Sequence, residues 1–271
     1  VKVETFDGQY NGKTLFLSVP LMNLLTMDEL DSIIGHELGH FKGDDTEYSI
    51  KFSPVYKSLG TSITELENQE SVILLPLLMI LSEIYLTLDI NQSAISRSRE
   101  LLADEIGVSV SSSESFAIAL TKIITFSSFW EVVETENMNR VFKNKISVNL
   151  PSVFLDAVKY NLSKKDIDEI KNSALSSSIS HPTDTHPILS ERINNIGYDY
   201  SKINIESIQN VGNSAKTLLT NCEDLELDLT NTYQQFTMHR VSLHQEAYDI
   251  DKDHRICQIQ SRKEKVISQF Q

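Results

Sequence analysis

The sequence predicts a predominantly helical α+β fold with a small sheet near its N-terminus. Three observations predict it. Residues 1–19 read as two short strands. Nearly everything after residue 20 repeats its apolar side chains at three- and four-residue spacing. One of those helical stretches contains His36-Glu37-Leu38-Gly39-His40. The chain has 271 residues, 40% of them hydrophobic, enough for one large or two small domains with a sizeable core. It shows no internal repeat.

In the N-terminal segment, Lys13 to Val19 is the clearer strand, and Gly8 to Gly12 supplies the turn before it. Pro20 to Leu25 leads into a helix whose start is marked by Thr26 and Glu29, a T-x-x-E capping box. Leu30, Ile33, Ile34, Leu38 and Phe41 give that helix an apolar stripe. Gly35 and Gly39 each cost about 1 kcal/mol relative to Ala in a helix. Their smallness would let another element, or a substrate, approach the backbone closely. Gly43 is the expected C-cap.

Residues 46–69 form the next predicted helix, with Tyr48, Phe52, Tyr56 and Leu59 in register. Residues 72–88 are the most apolar stretch, interrupted by Pro76 and Glu83. A membrane span needs about 20 apolar residues, so this stretch is expected as a buried or interfacial helix. Further helices are expected at 95–110, 115–133, 150–160 and 163–175, the last capped by Ser163. Residues 135–150 and 176–186 read as loops. From about Asn213 onward, Leu218, Cys222, Leu225, Leu229, Thr232, Phe236, His239 and Leu243 alternate four- and three-residue spacings. That pattern suggests a helix docking on a partner surface, with a short coiled coil as the alternative. The expected division is a domain over 1–200 and an acidic helical extension over 201–271.

The formal net charge of −14 argues against a nucleic-acid partner, which such a surface would repel, and against electrostatic attraction to anionic lipid. Cys222 and Cys257 are too few for a disulfide framework and form no zinc-ligand pair. The sequence begins at Val1, directly in strand-like residues, which reads as a fragment whose targeting or anchoring segment lies upstream. The expected location is the cytoplasm or the periphery of a membrane.

The chemistry is concentrated in His36-Glu37-Leu38-Gly39-His40. Two histidines four apart share one helix face, so both imidazoles can reach one metal ion. Glu37 between them can take a proton from metal-bound water. The bland alternative is a surface helix with two solvated histidines, and the apolar stripe argues against it. A catalytic zinc needs a third protein ligand. Gly43 suits the H-E-x-x-H-x-x-G-x-x-H pattern, but Thr46 stands where its third histidine would be. The other source is a later helix, where Glu100 and Asp104 stack on one face. Glu100 could ligate the metal while Asp104 holds a ligating histidine's second nitrogen. An ordinary solvated acidic face fits that spacing equally well.

The pairing of His36-Glu37-Leu38-Gly39-His40 with Ser98-Arg99-Glu100 and Ala103-Asp104 resembles the HtpX and CAAX prenyl protease family of gluzincins. Asp45, five residues past His40, resembles a further family marker. Thr185-His186-Pro187 followed by Glu191-Arg192-Ile193 resembles its T-H-P…E-R-I segment. Gly12 to Leu17 resembles the edge strand before its zinc helix. The resemblance spans roughly residues 10–196. It implies a gluzincin-type zinc peptidase domain holding one Zn2+ per chain through His36, His40 and Glu100. Glu37 would be the general base and His186 would face the reacting carbonyl. Asp104 would orient a zinc histidine, with Asp45 and Arg192 around the site. The substrate polypeptide would add as a strand along about Leu15–Ser18. Family members carry membrane helices, often an apolar pair between the second histidine and the glutamate. Only 72–88 fits that here, so peripheral membrane association is the expectation. Residues 214–271 are left for a protein partner. The rival from another class is a silent or latent zinc-holding scaffold whose C-terminal helix binds that partner. Intact Glu37 speaks against it.

Overall fold

The computed structural model describes residues 2–5, 8–42, 45–69, 71–143, 148–162, 167–176, 183–210 and 214–239. Two strands, β1 (Lys2–Thr5) and β2 (Gly8–Asn11), pair antiparallel, with Val3 opposite Tyr10. Lys13 to Ser18, expected as the clearer strand, carries no ladder among the described residues, and the segment runs on into α1 (Val19–Leu24). The hairpin is therefore placed earlier than expected, and the Gly8–Asn11 stretch is a strand rather than the turn.

Helix α2 (Met27–Lys42) begins at the expected capping box. The Thr26 amide donates to Glu29 Oε2 at 3.0 Å, and the Glu29 amide donates to Thr26 Oγ1 at 3.4 Å. Glu29 has a second task. Lys122, fully buried, donates to both Glu29 carboxylate oxygens at 2.8 and 3.0 Å. It also donates to the carbonyls of Leu24 at 3.3 Å and Asn210 at 2.8 Å. Burial pushes the Glu29 carboxyl up and the Lys122 ammonium down, each opposed by the charge of the other. The start of α2 is thus tied to three other segments. The expected C-cap Gly43 lies outside the described residues.

Helix α3 (Asp45–Glu67) follows, then a 3₁₀ turn at Val72–Leu74 and the 36-residue α4 (Leu75–Val110). The helices expected at 72–88 and 95–110 are one continuous helix. Pro76 does not break it, because it occupies the first turn, where no intrahelical amide donor is required. The apolar stretch is not core either. Met79 is 72% exposed, and Ile80, Ile84 and Leu86 are also exposed. The segments Val72–Val110 and Ser113–Phe142 are long and apolar enough to cross a membrane. The most apolar window of the first is unburied, and half of that of the second is buried.

Helix α5 (Ser113–Phe126) starts at Ser112, whose hydroxyl accepts from the Ser115 amide at 3.0 Å. It supplies the centre of the core through Phe116, Ala117, Ala119 and Phe126, all fully buried. The single helix expected over 115–133 is divided near Ser127, and α6 (Phe129–Phe142) fills the first half of the stretch expected as loop. After α7 (Leu150–Leu162) and α8 (Ile167–Ser176) come α9 (Leu189–Asn195) and α10 (Ile205–Gln209). Ser163, the expected cap of α8, lies outside the described residues. A last helix, α11, occupies 222–239.

The chain forms two compact units. One contains Val1–Ser128 and Leu155–Leu218, and the other contains Phe129–Phe154 and Leu219–Gln271. These units interleave in sequence. Within the second unit, Leu225, Leu229 and Phe236 of the stripe expected to dock on a partner are exposed on α11. The buried face carries Cys222, which belongs to that stripe, together with Glu226, Thr230, Gln234 and Thr237. These polar groups are covered because they have partners. Asn149 donates to Glu226 Oε2 at 2.7 Å, the Leu150 amide donates to Thr230 Oγ1 at 3.1 Å, and Gln234 donates to Asn137 Oδ1 at 2.9 Å.

Candidate metal centre

Helices α2 and α4 pack closely because their facing residues are small. A Cβ on Gly107 would stand 2.6 Å from the Ser32 carbonyl oxygen. One on Gly35 would stand 2.8 Å from Val110 Cγ2, and one on Gly39 would stand 3.1 Å from Ala103 Cα. Residues this small let two helix backbones approach, and the approach sets His36 and His40 against Glu100 and Asp104. Gly35 and Gly39 were legible as close-approach positions. Gly107, their counterpart on α4, escaped notice, although Ala103 and Gly107 repeat the same four-residue spacing.

His36 and His40 present their Nε2 atoms to each other at 3.2 Å, with their rings almost perpendicular. Glu100 Oε1 lies 3.3 Å from His40 Nε2, and Glu100 Oε2 lies 3.6 Å from His36 Nε2. One ligand atom from each of the three residues can be chosen so that all lie within 4.8 Å of one another. Two ligands 2.0–2.1 Å from a tetrahedral zinc stand about 3.3 Å apart, so the donor set fits that ion. Two imidazole nitrogens at hydrogen-bond distance, both beside one carboxylate, are a pattern that a cation between them explains. Burial, the largest single influence, would raise the Glu100 pKa. The His40 hydrogen bond and the charges of Arg192, His36 and His186 outweigh it and hold the pKa at about 2. The carboxylate form needed for ligation is therefore maintained.

A layer of charge lies behind these donors. Asp104, fully buried, places Oδ1 2.8 Å from His36 Nδ1, off the line of the ring N–H. Arg192 on α9 grips Asp104 with both Nε, at 2.8 Å from Oδ2, and Nη2 on Oδ1. The same Nη2 is 3.8 Å from Glu100 Oε2. The Phe116 ring closes this side, with the His36 ring and the Arg192 guanidinium each 5.9 Å from its centroid. His186 brings Nδ1 to 3.3 Å from Glu100 Oε2, with 69% of its side chain exposed. Glu37 lies on α2 between the two histidines and is exposed. The structure thus gathers His36, His40, Glu100, Asp104, Arg192 and His186 into one cluster. The Asp45 side chain lies outside what is described. His239 is exposed on α11.

The chain resembles known proteases. The chain is 26% identical over 190 residues to a protein named Protease HtpX homolog from Archaeoglobus fulgidus, covering 67% of this chain and 55% of that one. It is 37% identical over 117 residues to a protein of the same name from Pyrococcus abyssi, covering 38% of this chain and 39% of the other. Protease HtpX homolog 1 from Sulfurisphaera tokodaii matches at 43% over 54 residues, 20% of this chain and 17% of that one. The chain spans about half or less of the length of these relatives. No solved structure matches it. The profile described as Peptidase family M48 matches residues 3–199, a span that begins in β1, contains every donor of the cluster and ends just past α9. By that match, the chain belongs to peptidase family M48.

Proposed function

We propose that the chain is a zinc-dependent metalloendopeptidase of gluzincin type, holding one Zn2+ through His36, His40 and Glu100. The observation that carries this reading is the 3.2 Å spacing of the two Nε2 atoms beside the Glu100 carboxylate. Bound there, zinc supplies Lewis acidity, which makes water nucleophilic near neutral pH and polarises a peptide carbonyl. The side chains do the rest. Glu37, exposed beside the histidines, accepts the proton of the attacking water and delivers it to the leaving amine. His186 stands on the solvent side of Glu100, where its imidazole can donate to the oxygen of the reacting carbonyl. One such donor is worth roughly 3 kcal/mol in the transition state. Asp104 stands behind His36, and Arg192 holds Asp104, so the His36 ring and the carboxylate behind it stay oriented. Asp45 is assigned to the same surroundings from its place in the sequence.

The substrate is a polypeptide. We assign its backbone to the segment Leu15–Ser18, which carries no strand partner of its own among the described residues and can take one. Phe16, 71% exposed, would then meet substrate side chains. The exposed apolar half of α4 supports membrane association. The exposed Leu225, Leu229 and Phe236 support a protein partner for residues 214–271. Residues 1–200 would form the peptidase domain and 201–271 its acidic extension, in keeping with a family match that stops at residue 199.

Zinc reconstitution followed by elemental analysis and a casein-cleavage assay tests the reading. One zinc per chain and chelator-sensitive cleavage are expected. A reconstituted protein that holds zinc and cleaves nothing would favour the scaffold.

A further inference from the structure

We infer that Ser93 and Arg97 are positioning residues that hold the 183–188 segment and thereby set His186 beside Glu100. Ser93 is almost fully buried, and its hydroxyl donates to the Thr183 carbonyl at 2.9 Å. Arg97 donates through Nη1 to the Asp184 carbonyl at 2.7 Å. Ser93, Arg97, Glu100 and Asp104 are spaced four, three and four apart, so they form one stripe along α4. The stripe meets the later segment in order: Ser93 with Thr183, Arg97 with Asp184, Glu100 with His186, and Asp104 with Arg192. One helix face therefore fixes both the carboxylate and the backbone that presents the histidine.

Such an anchor is needed here. Residues 183–188 form no helix or strand, so their carbonyls need donors from elsewhere. The His186 side chain is largely exposed and gains little hold from its own packing. Its position comes from the backbone, fastened by Arg97 and Ser93 on one side and by the buried Pro187 on the other. Neither anchor touches the reacting atoms. Each acts through His186, and a misplacement of about 1 Å at such a group costs roughly a hundredfold in rate.

This inference rests on the catalytic role proposed for His186, and the test separates the two. The full chain is prepared with Arg97→Met, Arg97→Lys, Ser93→Ala, His186→Ala and the Arg97→Met/His186→Ala pair. Hydrogen exchange is measured with and without zinc, and turnover with zinc. Arg97→Met is expected to speed exchange within 183–188 about tenfold while leaving α2 unchanged. It should lower kcat tenfold to a hundredfold with KM and zinc content held. In the double variant it should add nothing to the loss from His186→Ala. Arg97→Lys, which keeps one donor, should recover part of the rate. Ser93→Ala should move exchange in the same direction by less, which covers the case in which Arg97→Met does not fold. Unchanged exchange in 183–188 in the folded variants, or losses that multiply in the double variant, would overturn the inference. Full activity in His186→Ala would instead remove the catalytic role of that histidine, and the exchange result alone would then decide whether the anchor exists.

Discussion

The two halves of α4 are built on opposite plans. From Leu75 to Ile90 the helix turns Leu77, Met79, Ile80, Ile84 and Leu86 to the outside. From Ser93 to Gly107 it covers Ser93, Glu100 and Asp104, polar groups that are among its most buried residues. A water-soluble helix does the reverse of both. The polar half is stable because each of those groups has a partner, namely the Thr183 carbonyl, the two histidines and Arg192. The apolar half meets α3 on one side, where Tyr56 donates to Asp89 and its ring lies 4.6 Å from that of Tyr85, while Leu77, Met79, Ile80, Ile84 and Leu86 stay exposed. The comparison separates two meanings of an unusual pattern. Buried polarity marks chemistry held in place, and exposed apolarity marks a surface awaiting another phase.

The strongest test of the polar half lies at the group it serves. Glu37→Gln should keep one zinc per chain and lower cleavage by roughly 10²–10⁴-fold, since the amide cannot accept the proton. Metal analysis beside a rate assay reads both, and near-normal cleavage would refute the general base.

Asp104→Leu comes next. It leaves the Arg192 guanidinium without its carboxylate, and removing one member of a buried pair costs about 3–5 kcal/mol. Urea unfolding should show that loss, and competition with a chelator should show zinc affinity lowered about 10- to 100-fold. An unshifted midpoint would mean that the Arg192–Asp104 grip is idle.

Gly107→Ala probes the helix contact itself. Its methyl group would stand 2.6 Å from the Ser32 carbonyl, so α2 and α4 must move apart. A destabilisation of about 1–3 kcal/mol is expected, with weaker zinc binding, because the two helices carry different ligands. Gly39→Ala, whose nearest contact is 3.1 Å, should cost less.

The smallest effect on folding belongs to the apolar half. Met79→Ser with Ile80→Ser should change stability by no more than about 0.5 kcal/mol, because both side chains are exposed. Zinc content should hold and co-sedimentation with phospholipid vesicles should fall. Equal sedimentation of variant and parent would show that this face does not hold lipid.

How much of this was legible in the sequence depended on the range of the forces involved. The start of α2 was legible because Thr26 and Glu29 cap it locally. His36 and His40 were legible because H-E-x-x-H sets both on one helix face, whereas Glu100, Asp104, His186 and Arg192 were legible only through the family resemblance, since their spacing fits a solvated acidic face equally well. The Lys122 tie to Glu29 was not, since nothing local in α5 announces a lysine destined for burial 93 residues from its partner. Ser93 and Arg97 were overlooked because their partners are backbone carbonyls, which leave no trace in side-chain patterns. The strand expected at Lys13–Val19 had the right composition, but strands need neighbours, and composition does not supply them. On α11 the periodic leucines mark the exposed face, where a partner is expected, and say nothing of the face the chain itself covers. The covered face is polar, and its members pair with Asn137, Asn149 and the Leu150 amide.

The continuity of α4 has a geometric consequence. At 1.5 Å per residue, Glu100 stands about 37 Å along the helix axis from Leu75 and about 15 Å from Ile90. With no break between them, the apolar half and Glu100 move as parts of one rod. A bilayer gripping residues 75–90 would therefore act as a ruler. It would set the height of the cleaving groups above the lipid, and select peptide bonds by their distance from the membrane as much as by the side chains that flank them.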